Sequence, residues 1–143
     1  MNIFYLDPDP VAAAQMQCDK HVVKMALETA QILSTVLGGP YKPTHAKHPS
    51  VLWAAKQKVW VKRHLLGLLY EYRHRYGREH ACASLVFPLI TPSDDEPWTD
   101  PPQCMPEHYH QPCTVSAYRA YYKGDKARFA KWARGRAAPE WWA

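Results

Sequence analysis

Between positions 17 and 31 the chain carries Gln17, His21, Lys24, Glu28 and Gln31, each three or four residues from the next. In a helix turning about 100° per residue these side chains share one narrow stripe, and Val22, Val23, Ala26, Ala30 and Leu33 face away from it. The row offers an imidazole, an amine and a carboxylate one turn apart. Histidine titrates near neutrality, and a carboxylate beside an amine can hold or deliver a proton, so general acid and base chemistry is within reach. The same row would also serve as the solvent face of an amphipathic helix. Asp19 projects toward the apolar side, where an unpaired carboxylate is costly. It must therefore meet a cation, a cap or a water-filled cleft, and a buried ion pair is the plainest of these.

Two loops add further candidates. In Thr44-His45-Ala46-Lys47-His48-Pro49, the two histidines could ligate a metal, but H-x-x-H without a third ligand is a weak pattern. Phosphate or substrate contact ahead of a helix N-terminus is the preferred reading, because free backbone N–H groups there favour anions. Cys104, His108, His110 and Cys113 lie within ten residues and could hold zinc, although their spacing departs from the usual paired ligands and prolines restrict the loop.

From Val115 to the C-terminus the basic residues Arg119, Lys123, Lys126, Arg128, Lys131, Arg134 and Arg136 alternate with Tyr118, Tyr121, Tyr122, Phe129, Trp132, Trp141 and Trp142. Cations suit a phosphate backbone and planar rings suit unstacked bases, so nucleic acid is one partner this stretch fits. A pair of amphipathic helices with buried aromatics is the other reading. The net charge of +5 and pI near 9.0 lean toward a polyanion. Phosphate-binding glycine loops, the dinucleotide fingerprint, the G-x-S-x-G elbow and H-E-x-x-H are all missing, which removes support for nucleotide hydrolysis, dinucleotide redox chemistry and serine hydrolysis.

These side chains need elements to position them. A length of 143 residues suits one domain, expected to span 1–143 without a metal or disulfide staple. Four scattered cysteines are expected to stay reduced, and with no apolar run long enough to span a bilayer and no signal peptide pattern, a cytoplasmic protein is expected. Ile3 to Leu6 reads as a strand or an extended arm. Asp7-Pro8-Asp9-Pro10 opens a helix over Val11 to Leu37, long enough to be broken, and Gly38-Gly39-Pro40 ends it. Pro49-Ser50 opens a second helical stretch, Val51 to Tyr76, with a possible bend at Gly67 and a stop at Gly77. Prolines crowd the region from Phe87 to Cys113 and predict an ordered loop wrapping the helices. Thr114 or Ser116 would cap a third helix ending near Gly124, and Asp125 a short fourth one ending near Gly135. The fold class predicted is mainly α: an irregular helical bundle with a long Pro-rich loop.

Cys18-Asp-Lys-His-Val-Val-Lys-Met25 with Glu28-Thr29-Ala30-Gln31, then Thr44-His45, His48-Pro49-Ser50, Trp53, Pro101-Pro102-Gln103 and Tyr118-Arg119-x-Tyr121-Tyr122 resemble a family of small proteins of tailed bacteriophages. The chain also resembles the pyrimidine-dimer DNA glycosylase and AP-lyase family. That family's pattern has a short N-terminal segment and a helix with His followed seven residues later by an essential Glu, which His21 and Glu28 match. Lys47-His48-Pro49-Ser50 matches its turn into a long helix, Arg75-Tyr76-Gly77 the end of that helix, and Tyr121-Tyr122-Lys123-Gly124 its basic aromatic C-terminal segment.

The resemblance implies attack on a deoxyribose by the α-amine of a small second residue exposed when methionine is removed. This chain departs from that, because Asn2 is expected to keep Met1 in place. The Met1 amine could still serve, since terminal amines are competent nucleophiles near neutral pH, with Lys24 or Lys20 as alternatives. The resulting expectation is an enzyme acting on a flipped or damaged pyrimidine nucleotide without a cofactor. Glu28 would move protons, His21 and Lys24 would orient the nucleotide, and Met1 would attack. DNA would be held by Asp19, His45, His48, Arg119, Tyr122, Arg128 and Lys131. A non-catalytic DNA-binding or host-takeover protein and a metal-dependent nucleotide enzyme are the other classes considered.

Overall fold

A computed structural model describes all 143 residues. It is built of helices, turns and ordered loop, with no strand. The mainly α class expected from the hydrophobic periodicity is therefore the observed one. No helix is long and apolar enough to cross a membrane.

The first helical stretch divides in two. Helix α1 spans Pro10–Met16, and Asp9 Oδ1 caps it by accepting from the N–H groups of Val11 at 2.8 Å and Ala12 at 3.4 Å. Gln17 and Cys18 then adopt extended backbone, and the Cys18 N–H donates to the Tyr122 hydroxyl at 2.9 Å instead of to a helical carbonyl. Helix α2 restarts at Asp19 and runs to Leu37, where Gly38 takes a left-handed φ of 92° that only glycine adopts cheaply.

The second stretch is also broken. Helix α3, Pro49–Lys56, is capped by His48 Nδ1, which accepts from the Ser50 N–H at 3.1 Å. Gln57 leaves the helical region before α4, Lys58–Tyr76. The cap for α4 comes from far along the chain: the Asp95 carboxylate accepts from the N–H groups of Lys58 at 2.9 Å and Val59 at 3.2 Å. The Pro-rich loop thus closes a helix end as well as wrapping the bundle. The short helix α5, Ala83–Val86, precedes it, and it leads to α6, Thr114–Asp125.

Helix α1 lies across α4 at Gly67. This residue marks a close helix crossing and not the bend suggested by its isolation: a Cβ there would meet the Ala14 Cβ at 3.1 Å and the Val11 Cα at 3.3 Å. Helices α2 and α3 complete the layer against α4. Their shared core includes Met25, Ile32, Leu33, Leu65, Leu68 and the N-terminal residues Ile3 to Leu6, which form a buried arm and not a strand.

Two further expectations need correction. The stripe is only partly a solvent face: Gln17, which lies before α2, and His21 are buried, Lys24 is exposed, and Val23, assigned to the apolar side, is 39% exposed. The helix expected from Asp125 to Gly135 is absent. Its backbone pairs elsewhere: the Lys131 carbonyl accepts from the Asp19 N–H at 2.8 Å, and the Ala133 N–H donates to Asp19 Oδ2 at 2.9 Å. Arg136 then binds the buried Glu71 carboxylate through Nε at 3.0 Å. These contacts hold the C-terminal segment on the start of α2 and the end of α4.

Candidate active site

The buried arm brings the chain's first residues to the middle of α2. The Asn2 N–H donates to Glu28 Oε1 at 2.9 Å, and the Met1 terminal amine lies 3.5 Å from the same oxygen. Both open into a cavity of about 250 Å³ whose walls include Phe4, His21, Lys24, Cys104, Tyr121 and Lys126. An amine and a carboxylate facing one solvent-filled space is the arrangement that a nucleophile and its proton acceptor require.

His21 forms one wall. Its ring stacks on Phe4 with centroids 4.5 Å apart and meets the edges of Tyr122 and Phe129, both at 5.2 Å. Burial, reinforced by the charges of Lys126, Lys24 and Lys20, lowers its pKa to about 3, so the imidazole is neutral. The Tyr122 hydroxyl accepts from Cys18 N–H and has its own proton free for His21 Nδ1, 2.8 Å away. That network assigns the ring hydrogen to Nε2.

Beside the cavity lies a depression of about 430 Å³ lined by Lys20, His21, Lys24, Lys126, Arg128 and Phe129, with no acidic residue. A third hollow of about 620 Å³ shares Lys20, Lys24 and Phe129 and continues past Lys131 and Arg134 to Tyr76. The three form one basic track leading from the Met1 amine along α2. Rings lie under several of its cations: Lys20 Nζ is 5.1 Å from the Phe129 centroid, Lys126 Nζ 4.8 Å from that of Tyr121, and the Arg134 guanidinium 4.4 Å from that of Tyr76.

Of the residues singled out in the sequence, Met1, His21, Lys24 and Glu28 meet in the cavity, and Arg128 and Lys131 line the track. Burial lowers the His48 pKa, with the terminal ammonium and His45 adding to the effect and Glu28 opposing it. The His48 Nδ1 is already engaged in capping α3. His45, exposed at a φ of 50°, has Thr44 Oγ1 as its partner at 2.8 Å. Of the other three, Asp19 lines the third hollow but is already paired, and Arg119 and Tyr122 lie away from the track or behind it. Asp19 has one oxygen on Arg75 Nη1 at 3.2 Å and the other on Ala133 N–H. Arg119 binds the Leu6 carbonyl at 2.8 Å and Asp7 at 3.3 Å. Tyr122 is fully buried behind His21. The histidine and cysteine candidates for zinc have separate partners, His110 the Met105 carbonyl at 2.9 Å and Cys104 the Ser50 hydroxyl at 3.4 Å, and no three such side chains are gathered as ligands.

Asn2 and Phe4 were not anticipated as site residues, while Cys104, read as a possible zinc ligand, and Tyr121, read as part of the basic aromatic stretch, line the cavity instead. The cavity brings them together from the arm, the Pro-rich loop and α6, segments far apart in the chain, and local sequence carries no signal of that.

No curated protein and no solved structure matches the chain. The family model described as pyrimidine dimer DNA glycosylase matches residues 1–84, the portion that supplies the arm and helices α1 to α4. With more than half of its length matched, and with an amine and the Glu28 carboxylate facing one cavity, this chain belongs to the pyrimidine dimer DNA glycosylase family.

Proposed function

We propose that this protein excises damaged pyrimidines from DNA and nicks the abasic strand, using its terminal α-amine as nucleophile. The observation that carries the reading is the Met1 amine 3.5 Å from Glu28 Oε1, at the end of a basic track. The neutral amine attacks C1′ of the deoxyribose, and the glycosidic bond breaks with its electron pair leaving on the base, which takes a proton. The nitrogen lone pair then opens the sugar ring, giving a protonated imine at C1′ and a hydroxyl at C4′. Glu28 accepts the proton leaving the amine, gives it to O4′ as the ring opens, and as a carboxylate again removes one from C2′, so that the 3′ phosphate departs by β-elimination. Water finally hydrolyses the imine.

The surroundings support each part. The neutral His21 ring places no further cation against the amine. Lys24, Lys126 and Arg128 offer positive charge to the phosphates flanking the reacting sugar, while Phe129 and Tyr121 offer ring faces to unstacked bases. The phage-like motifs suit a protein that repairs ultraviolet damage during infection.

Borohydride reduction during reaction with abasic DNA tests the covalent step. A stable protein–DNA adduct mapping to the chain terminus is expected. An adduct on Lys24 would move the nucleophile, and active-site titration with no adduct on abasic or dimer-containing DNA would leave a DNA-binding protein without this chemistry.

A further inference from the structure

Asn2 holds its neighbours through its backbone N–H and both polar atoms of its side chain. Its N–H donates to Glu28 Oε1 at 2.9 Å, its Nδ2 donates to the Cys104 carbonyl at 2.9 Å, and its Oδ1 accepts from the Phe4 N–H at 2.8 Å. The last contact closes a tight turn in which Phe4 has a φ of 49°, an uncommon backbone conformation for a bulky residue. Phe4 in that turn lies flat against His21, and Lys126 Nζ sits 5.7 Å from its centroid.

Cys104 is a firm anchor for this contact. Its N–H donates to the hydroxyl of the fully buried Tyr118 at 3.3 Å, and the same hydroxyl donates to the Pro102 carbonyl. Its thiol lies 3.4 Å from the hydroxyl of Ser50, which is itself buried in the first turn of α3. The Pro-rich loop thus presents one carbonyl, held from both sides, to one side-chain amide at the chain start.

We infer that the Asn2 carboxamide is a positioning residue, bracing the N-terminal turn against Cys104 so that the Met1 amine is held at Glu28. The inference rests on the proposed amine chemistry and assigns the second residue a different part in it. Its side chain orients the amine of its neighbour, and its own nitrogen stays an amide. Without the brace, the first two residues can rotate about the bonds preceding Phe4, and the amine leaves the geometry that attack requires. Displacement of a reacting group by about 1 Å can cost on the order of 100-fold in rate.

Asn2→Asp keeps the size but sets an oxygen against the Cys104 carbonyl, and Asn2→Leu removes both side-chain contacts. Neither is smaller than Asn, so both are expected to retain Met1. On preformed abasic DNA, single-turnover trapping with borohydride should slow about 10-fold to 100-fold in both variants. The dissociation constant for the same DNA should stay within about twofold, because no phosphate contact is removed. Mass spectrometry after brief acylation should show the terminal amine labelled faster than in the wild type, a change that general weakening of the fold would spread over lysines as well. Wild-type trapping rates in both variants, or a wild-type adduct mapped to Asn2 after loss of Met1, would overturn the inference. Complete absence of trapping in the wild type would instead sink the covalent reading on which it rests.

Discussion

Lowering the pH from 7.5 to 5 should destabilise this protein through two buried histidines. Burial lowers the pKa of His21 from 6.5 to about 3, with nearby lysines adding to the effect, and burial lowers that of His64 from 6.5 to about 4 against the opposing pull of hydrogen bonds to backbone. A depressed histidine pKa means that the unfolded chain takes up a proton where the folded chain does not, so stability falls as pH drops below 6.5 and levels off near the folded values. At pH 5 the unfolded histidine lies 1.5 units below its pKa, worth about 2 kcal/mol for each residue and about 4 kcal/mol for the pair. For a chain of this length about 1 kcal/mol corresponds to roughly 3 °C, so the melting temperature should drop by about 12 °C. Calorimetry or circular-dichroism melts at several pH values would measure this. Because the rising positive charge pushes in the same direction, His64→Gln supplies the control. Gln can still donate to the Pro10 carbonyl, which His64 Nδ1 meets at 2.8 Å, and the variant should lose about half of the pH dependence. A melting temperature that is flat between pH 7.5 and 5, or an unchanged slope in His64→Gln, would refute the reasoning.

The remaining predictions concern the cavity, the track and the helix crossing. Glu28→Gln should lower single-turnover cleavage of abasic DNA by about 100-fold to 10,000-fold, with binding measured by fluorescence anisotropy altered only a few-fold. Replacing Arg128 and Lys131 together by Ala should weaken DNA binding and reduce the slope of log affinity against log salt by about 2, read from titrations at several salt concentrations. Gly67→Val should cost about 1–3 kcal/mol in urea unfolding, since its side chain would be driven into Ala14 and the backbone of Val11 where α1 crosses α4.

The sequence was most informative where structure is local. Asp9-Pro10, Gly38, Pro49-Ser50 and Gly77 mark helix ends because capping and left-handed φ depend on the nearest few residues. Other features depend on partners distant in the chain. The break at Gln17 and Cys18 answers to the Tyr122 hydroxyl, and the restart at Lys58 answers to Asp95. His21 was legible as a chemical group but not as a buried one, since the rings covering it come from Phe4, Tyr122 and Phe129. The pairing of Glu28 with the chain terminus followed from resemblance and not from periodicity, which cannot say where an N-terminal arm folds back. The missing fourth helix has a similar cause: Asp19 and Glu71 bind the C-terminal segment more effectively than its own helical hydrogen bonds would.

The family match ends at residue 84, yet the cavity does not. Cys104 braces the chain start, Tyr121 and Lys126 supply walls, and Tyr122 orients His21 from behind. The matched half therefore carries the groups proposed to react and part of what holds them, and the rest of the chain supplies the remaining walls and supports. Recombination or truncation at that boundary would separate them, so the two halves can diversify only under mutual constraint. A graft of residues 1–84 onto another scaffold would keep Met1 and Glu28 and lose the Cys104, Tyr121 and Lys126 walls of their cavity.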